Sequence, residues 1–393
     1  MSQLLLHNAR VVLERDVQRG AVLIREGRIA QFFAHDQMPA GLSGSESIDV
    51  RGSYLAPGLI DIHIHGSAGV DVQATDANGL NKLSEFLLGE GVTGYFATFV
   101  PTNEREYSKA LATVASHLAL PKSKSGARIL GVHFEGPFVN ERRCGALHRE
   151  HFRTYDGDLK SIELFVGEKP ELPRLMTLAP EIDGGLELTR ELTSKGVRVF
   201  IGHSQADPET LDLAARAGAR HITHFPNALD PLHHRKPGVV AWGLVRQDVT
   251  LDCIADLHHV HPLMLKLIYE SKGANAMALI SDAIMPTGLG DGEFSVWGDK
   301  IRVTNGRTNL ATSGENTIAG SVTTMRQALK NIINLGVPIH EAVRMATLMS
   351  ARVSGVEYEL GSIDEGKQAD LIALDDDLAV RIAVVGGECN RFD

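Results

Sequence analysis

The chain is poor in cysteine, with three in 393 residues: Cys144, Cys253 and Cys389. An odd count at wide spacing makes no disulfide framework and no zinc knuckle, and it suits a reducing compartment. No run approaches the roughly 18 uninterrupted apolar residues of a membrane span. The opening MSQLLLHNARVVLERD has neither a basic leader region nor a long apolar one, so a cytoplasmic location is expected. There is no basic tract. Lys plus Arg total 39 against 49 Asp plus Glu, a net charge of −10, which argues against a nucleic-acid partner. No internal repeat and no low-complexity segment is present. What the chain has in quantity is histidine, 17 residues, and a balance of 43% hydrophobic to 22% charged residues that fits a folded globular protein. Metal or acid–base chemistry is therefore the first question.

Both ends read as short strands broken by glycine or polar turns: LLLHNARVVL, AVLIREGRIAQFF and SIDVRGSYLA at the start, then GSIDEGKQADLIALDDDL and AVRIAVVGGE. Neither end carries enough apolar surface for its own core. The expectation is one small β-sandwich domain built from residues 1–55 and 361–393.

Between them, apolar strand-like runs alternate with amphipathic helical ones. Eight strands are expected: LIDIHIH, TGYFATFV, ARILGVHFEG, RLMTLAP, VRVFIGHS, RHITHF, VTLDCIAD and AMALISDA. Several intervening helical segments open on Asp or Asn and close on Gly. Two later ones, TTMRQALKNIINLG and IHEAVRMATLMSARVSG, would complete an outer ring. Eight such units over residues 56–360 predict an α/β protein of the (β/α)8 barrel type rather than a doubly wound sheet.

In such a barrel the chemistry stands at the C-terminal ends of the strands. His63 and His65 end the first strand, Glu135 the third, His203 the fifth and His224 the sixth. Asp256 and His259 follow the seventh, and Asp282 ends the eighth. Taken singly, each is as well explained by an ordinary surface or hydrogen-bonded core residue. Jointly, ligand-type residues at five of eight strand ends are not. Glu135, His203 and His224 would hold a divalent transition metal with a position left open. His63, His65 and Asp282 could form a second site bridged by Glu135. Asp282 would take a proton from water and deliver it to a leaving amine. His259 would polarise the scissile carbonyl. Zn, Fe, Mn and Co all tolerate such a donor set, with Zn or Fe expected.

PGLIDIHIHG and the tail GSIDEGKQADLIALD resemble the amidohydrolase superfamily. HFEGPFVN, GHSQA, THFPNALDPLHHRKPG, IADLHHVHP, LISDAIMPTG and AGSVTTM resemble its N-acetylglucosamine-6-phosphate deacetylase family, in one order along nearly the whole chain. The resemblance implies removal of acetate from a 6-phosphorylated 2-acetamido sugar, with one or two metals on Glu135, His203, His224, His63 and His65. It implies Asp282 as acid/base and His259 on the acetamido carbonyl. Substrate contacts are implied at Ala146, Leu147 and His148, at Asn227 and Ala228, at Asp256, Leu257, His258 and His259, and at Ile318, Ala319 and Gly320. Arg235 is implied to reach the phosphate from the neighbouring subunit of a homodimer. Where the family usually follows Gly145-Ala146 with histidine, this chain has Leu147, and His148 comes one later. An N-acyl amino acid, a cyclic amide or a galacto-configured sugar remain alternative substrates, and a barrel without catalysis is the alternative of another class.

Overall fold

The computed structural model describes residues 3–35, 46–120, 125–167, 172–311 and 317–392. Its centre is a parallel sheet of eight strands: β1 Leu59–Ile64, β2 Val92–Phe99, β3 Arg128–Glu135, β4 Arg174–Leu178, β5 Arg198–Ile201, β6 His221–Ile222, β7 Thr250–Ile254 and β8 Met277–Ile280. Each pairs with the next in chain order. The ring closes where β8 meets β1. Ile64 bridges Ala283 in parallel, and the amides of His65 and Gly66 both donate to the Ala283 carbonyl while the Asp282 amide donates to that of His63. All eight expected strands are present.

β1 and β2 are buried along their whole length. Strands covered on both faces read as continuous apolar runs, which is why these runs stood out. Ile60, Ile62, Phe96, Leu175, Phe200, Ile254, Ala278 and Ile280 form one core cluster with Met349 and Ala351. The last two belong to helix Leu348–Ser354. The expected final helix is thus two: Ile339–Ala346 ends at Thr347, whose φ of −135° and ψ of −82° are not helical. The turn frees the second piece to pack on the strands' inner core rather than continue around the ring.

The outer helices start as their sequences imply. Asp76, Asn103 and Asp207 accept the amides of Gly79, Glu106 and Thr210. Gly218 ends helix Pro208–Ala217 with a left-handed φ of 115°. Two features of this region were not foreseen. The β3–β4 connection carries only short helical turns and Glu163–Val166. After β8 comes a three-stranded antiparallel sheet, Gly292–Val296, Asp299–Thr304 and Arg307–Leu310.

The chain ends meet as expected, with Tyr54–Pro57 antiparallel to Leu371–Leu374. The strands form one continuous eight-stranded sheet rather than two separate ones. The reason lies in the long strand Gln3–Val12. Its first part pairs with Glu46–Asp49 and its second with Tyr54–Pro57, on either side of a bulge at Asn8. The two halves still enclose a common core, including Leu6, Val22, Ile48, Leu371 and Val384. Arg128 at the start of β3 pairs with Asp370 of the terminal unit and fastens it to the barrel.

Candidate metal centre and active site

Three of the strand-end groups sit in left-handed backbone: His203 at φ 47°, His224 at 34° and Asp282 at 51°. Non-glycine residues there are strained, and such strain collects where side-chain placement matters more than backbone comfort. Glu135 instead ends β3 in extended form, and Gly136 takes the left-handed turn at φ 80°.

The side chains converge. Glu135 Oε1 lies 2.9 Å from His203 Nε2 and 3.0 Å from His224 Nε2, and those two nitrogens are 3.1 Å apart. Donors at about 2.0–2.1 Å from one tetrahedral ion stand about 3.3 Å from each other, so these three atoms fit a shared cation. His203 Nδ1 donates to the Arg143 carbonyl at 2.7 Å, which leaves its Nε2 lone pair facing the centre. A second group adjoins it. His63 and His65 Nε2 are 3.1 Å apart and lie 3.6 and 3.3 Å from Glu135 Oε2. Both groups are fully buried and share Glu135. Asp282 Oδ1 is 3.4 Å from His63 Nε2 and 3.2 Å from His65 Nε2.

The electrostatics follow from this crowding. Burial alone would raise the Glu135 pKa, but the imidazoles of His63, His203 and His224 hold it well below the usual carboxylate range. Burial likewise opposes ionised Asp282, and His65 and His63 keep it low. For His65 burial favours the neutral ring, yet Asp282 and Glu135 push its pKa up to about 10. A buried positive charge is wanted here, and a metal cation answers the same demand as a proton.

Beneath these donors lies a polar layer that sequence reading passed over. His133, two residues before Glu135, donates from Nδ1 to the Ile62 carbonyl at 2.9 Å. Its Nε2 accepts from the Thr177 hydroxyl at 2.8 Å, and Thr177 accepts from Thr223 at 2.8 Å. Burial, then the charge of His63, keeps that ring neutral. Asp61, two before His63, accepts the Ser281 hydroxyl and the amides of His63 and Ser281. Asp252 in β7 accepts the His224 amide and pairs with His221 at 2.8 Å. The two-residue strand period was the available signal, because His133 and Asp61 share a face with the donors above them.

The other expected residues distribute around the rim. His259 donates from Nδ1 to Asp256 at 2.7 Å, and Asp256 also accepts the amides of His258 and His259. Burial would raise the Asp256 pKa, but the His259 ring holds it low. Leu257, between them, is exposed with φ 69°. Asn227 donates twice to the His224 carbonyl, and Ala228 takes φ 52°. Ala319 is buried with Ile284, Val296 and Ile301, with partly buried Ile318 and Gly320 on either side. Leu147 is buried against Val100 and Val139. His148 is engaged by Asp299 at 2.8 Å. Arg235 is exposed, 2.8 Å from His234 Nε2. Among the described residues, no hydrogen bond or ion pair joins it to the donors of the centre.

A buried Glu/His donor set at the C-terminal rim of a (β/α)8 barrel is the arrangement of metal-dependent hydrolases, and the Amidohydrolase family model matches residues 54–391. The chain belongs to the amidohydrolase family. This amidohydrolase is 34% identical over 390 residues to the N-acetylglucosamine-6-phosphate deacetylase of Bacillus subtilis (strain 168), covering 98% of this chain and 96% of that one. It is also 34% identical, over 339 residues, to the N-acetylgalactosamine-6-phosphate deacetylase of Escherichia coli O157:H7, covering 86% and 88%. Among solved structures it resembles the N-acetylglucosamine-6-phosphate deacetylase of Pasteurella multocida, with a TM-score of 0.90 at 27% identity over 99% of this chain and 100% of that one. The enzyme of the same name from Thermotoga maritima gives 0.87 at 31% identity over 99% and 100%. Among the described residues of the amidohydrolase, no helix is long and apolar enough to cross a membrane.

Proposed function

We propose that this amidohydrolase removes acetate from N-acetyl-D-glucosamine 6-phosphate, giving glucosamine 6-phosphate. The observation that carries the reading is the buried convergence of Glu135, His203 and His224 with Asp282 beside it, in a chain similar along its length to deacetylases of that name. Glu135, His203 and His224 would hold one divalent transition metal, zinc or iron in first place. His63 and His65, sharing Glu135, would hold a second. Bound there, such a cation supplies Lewis acidity to the amide carbonyl and lowers the pKa of a coordinated water.

The rest falls to the protein's own groups. Asp282, kept ionised by its imidazole neighbours, accepts the proton of the attacking water and passes it to the departing amine. His259, fixed through Nδ1 by Asp256, turns Nε2 to the carbonyl oxygen. The strained backbone at Asp282 and the Asp256–His259 pair hold these groups in place before substrate arrives, so little reorganisation is left for the reaction. Asn227, Ala228, Asp256 to His258, Ile318 to Gly320 and Ala146 to His148 would line the sugar. Arg235 would clamp the phosphate of a neighbouring subunit's substrate in a cytoplasmic homodimer. Its exposure, and the lack of any carboxylate partner among the described residues, support that assignment.

The galactosamine 6-phosphate isomer is a second reading, favoured by the equal identity to the Escherichia coli enzyme. Acetate release by zinc- or iron-loaded protein is the test, over N-acetylglucosamine and N-acetylgalactosamine, each with and without the 6-phosphate. Fast release from an N-acyl amino acid with none from the phosphorylated sugars would overturn the proposal.

A further inference from the structure

Trp297 lies between two strands of the post-β8 sheet, Gly292–Val296 and Asp299–Thr304, at their turn. Its φ is 54°, so the turn spends backbone strain on a bulky residue. The indole meets the metal centre edge-on, its ring centroid 5.1 Å from that of His65 at an interplanar angle of 81°. Asp71, whose carboxylate accepts the amides of Gln73 and Ala74 at 2.9 and 3.0 Å, lines the same cavity as the indole. The indole packs on the cluster of Ile284 and Ala319, as Ala146 does, and on that of Val100 and Leu147.

That cavity, of about 210 Å³ beyond the indole, has one apolar wall of Trp297, Val100, Pro101, Ala146 and Leu147, and polar groups such as Glu106, Lys109 and His148 around the rest. Trp297 thus lies against His65 and also lines this cavity. Leu147, packed on Val100 and Val139, keeps that wall of the cavity apolar.

We propose that Trp297 is a specificity-determining residue that limits the acyl group to acetyl. Acetate fits against the indole, and a longer chain would have to enter the space the indole fills. Removing the indole joins the side cavity to the centre, and its apolar part then accepts the added methylenes. This rests on the reading above that the centre cleaves an N-acyl bond. The bonds broken and formed stay the same: water oxygen adds to the acyl carbon, the C–N bond breaks, and the amine takes the proton.

The test compares wild type, Trp297→Ala and Trp297→Leu, each metal-loaded. Calorimetric binding of acetate and butyrate is measured beside hydrolysis of N-acetyl- and N-butyryl-glucosamine 6-phosphate. A hydrophobic pocket discriminates roughly 10- to 200-fold per methylene. Both variants should therefore shift the acetate-to-butyrate preference by at least about tenfold toward butyrate, with metal content unchanged. The leucine variant keeps apolar packing on the hairpin and reads the effect should the alanine variant melt early. An unmoved preference in a variant that retains metal and melting temperature overturns the proposal, as does a wild type that binds butyrate as well as acetate. A shift in carboxylate binding with no hydrolysis of either sugar would leave Trp297 in its role and reject the substrate reading instead.

Discussion

Asp252 joins two histidines of different rank. One carboxylate oxygen accepts the backbone amide of His224, a member of the candidate metal-binding group, and the other lies 2.8 Å from His221 Nε2. It therefore fixes the strained turn from which His224 projects. Asp252→Ala should lower metal affinity about 10- to 100-fold without removing a donor atom, as losses of groups behind metal ligands do. Titration of the metal-free variant with zinc checks it, and Asp252→Asn, which keeps one acceptor, should recover part of the loss.

Glu135 faces all four donor imidazoles. Glu135→Ala should lose metal from both halves of the centre at once, because the two groups share this one anion. Metal analysis after gel filtration would show it. Full stoichiometry in the variant would contradict the assignment.

In the proposed reading Asp282 handles the proton rather than holding the metal. Asp282→Asn should keep the fold and the metal on Glu135, His203 and His224 while kcat falls about 10²- to 10⁴-fold, the range expected on losing a positioned acid/base. Near-normal turnover would remove Asp282 from that role.

Arg235 offers a test of the phosphate. Arg235→Ala should raise KM for a 6-phosphorylated sugar roughly 10- to 100-fold through the lost charge-assisted pair, and leave the unphosphorylated sugar nearly unchanged. Mixing this variant with Glu135→Ala should restore some activity if the arginine acts across a homodimer, since a mixed dimer then holds one complete site.

Arg128 and Asp370 fasten the terminal sheet to β3, with Asp370 buried and Arg128 about three-quarters covered. Asp370→Ala strips a partly covered cation of its carboxylate partner and leaves the Gly386 amide without its acceptor. A loss of about 2–3 kcal/mol in unfolding free energy is expected, less than for a fully buried pair because water still reaches part of the guanidinium. Chemical denaturation measures it.

The strands and most outer helices were legible because each is a local matter. Strands buried on both faces must be apolar throughout, and amphipathic helices must repeat near 3.6 residues, whatever surrounds them. The donors were legible for a related reason: an imidazole or carboxylate at the end of an apolar run has no local excuse. His133, Asp61 and Asp252 were harder. They sit inside such runs, and only the stacking of neighbouring strands shows that each supports a donor one layer above.

By itself the sequence determined the eight-unit pattern, the two-ended β unit and the strand ends at which metal-binding chemistry could stand. Tertiary structure alone decided which donors meet. Glu135 faces four histidines from three strands because the ring closes at Ile64 and Ala283, and no spacing along the chain encodes that closure. It also decided that Trp297 covers His65 and that one terminal sheet bends through Asn8. A turn residue carries no periodic signal of its target, so its contacts exist only once packing has fixed the distances between elements far apart in sequence.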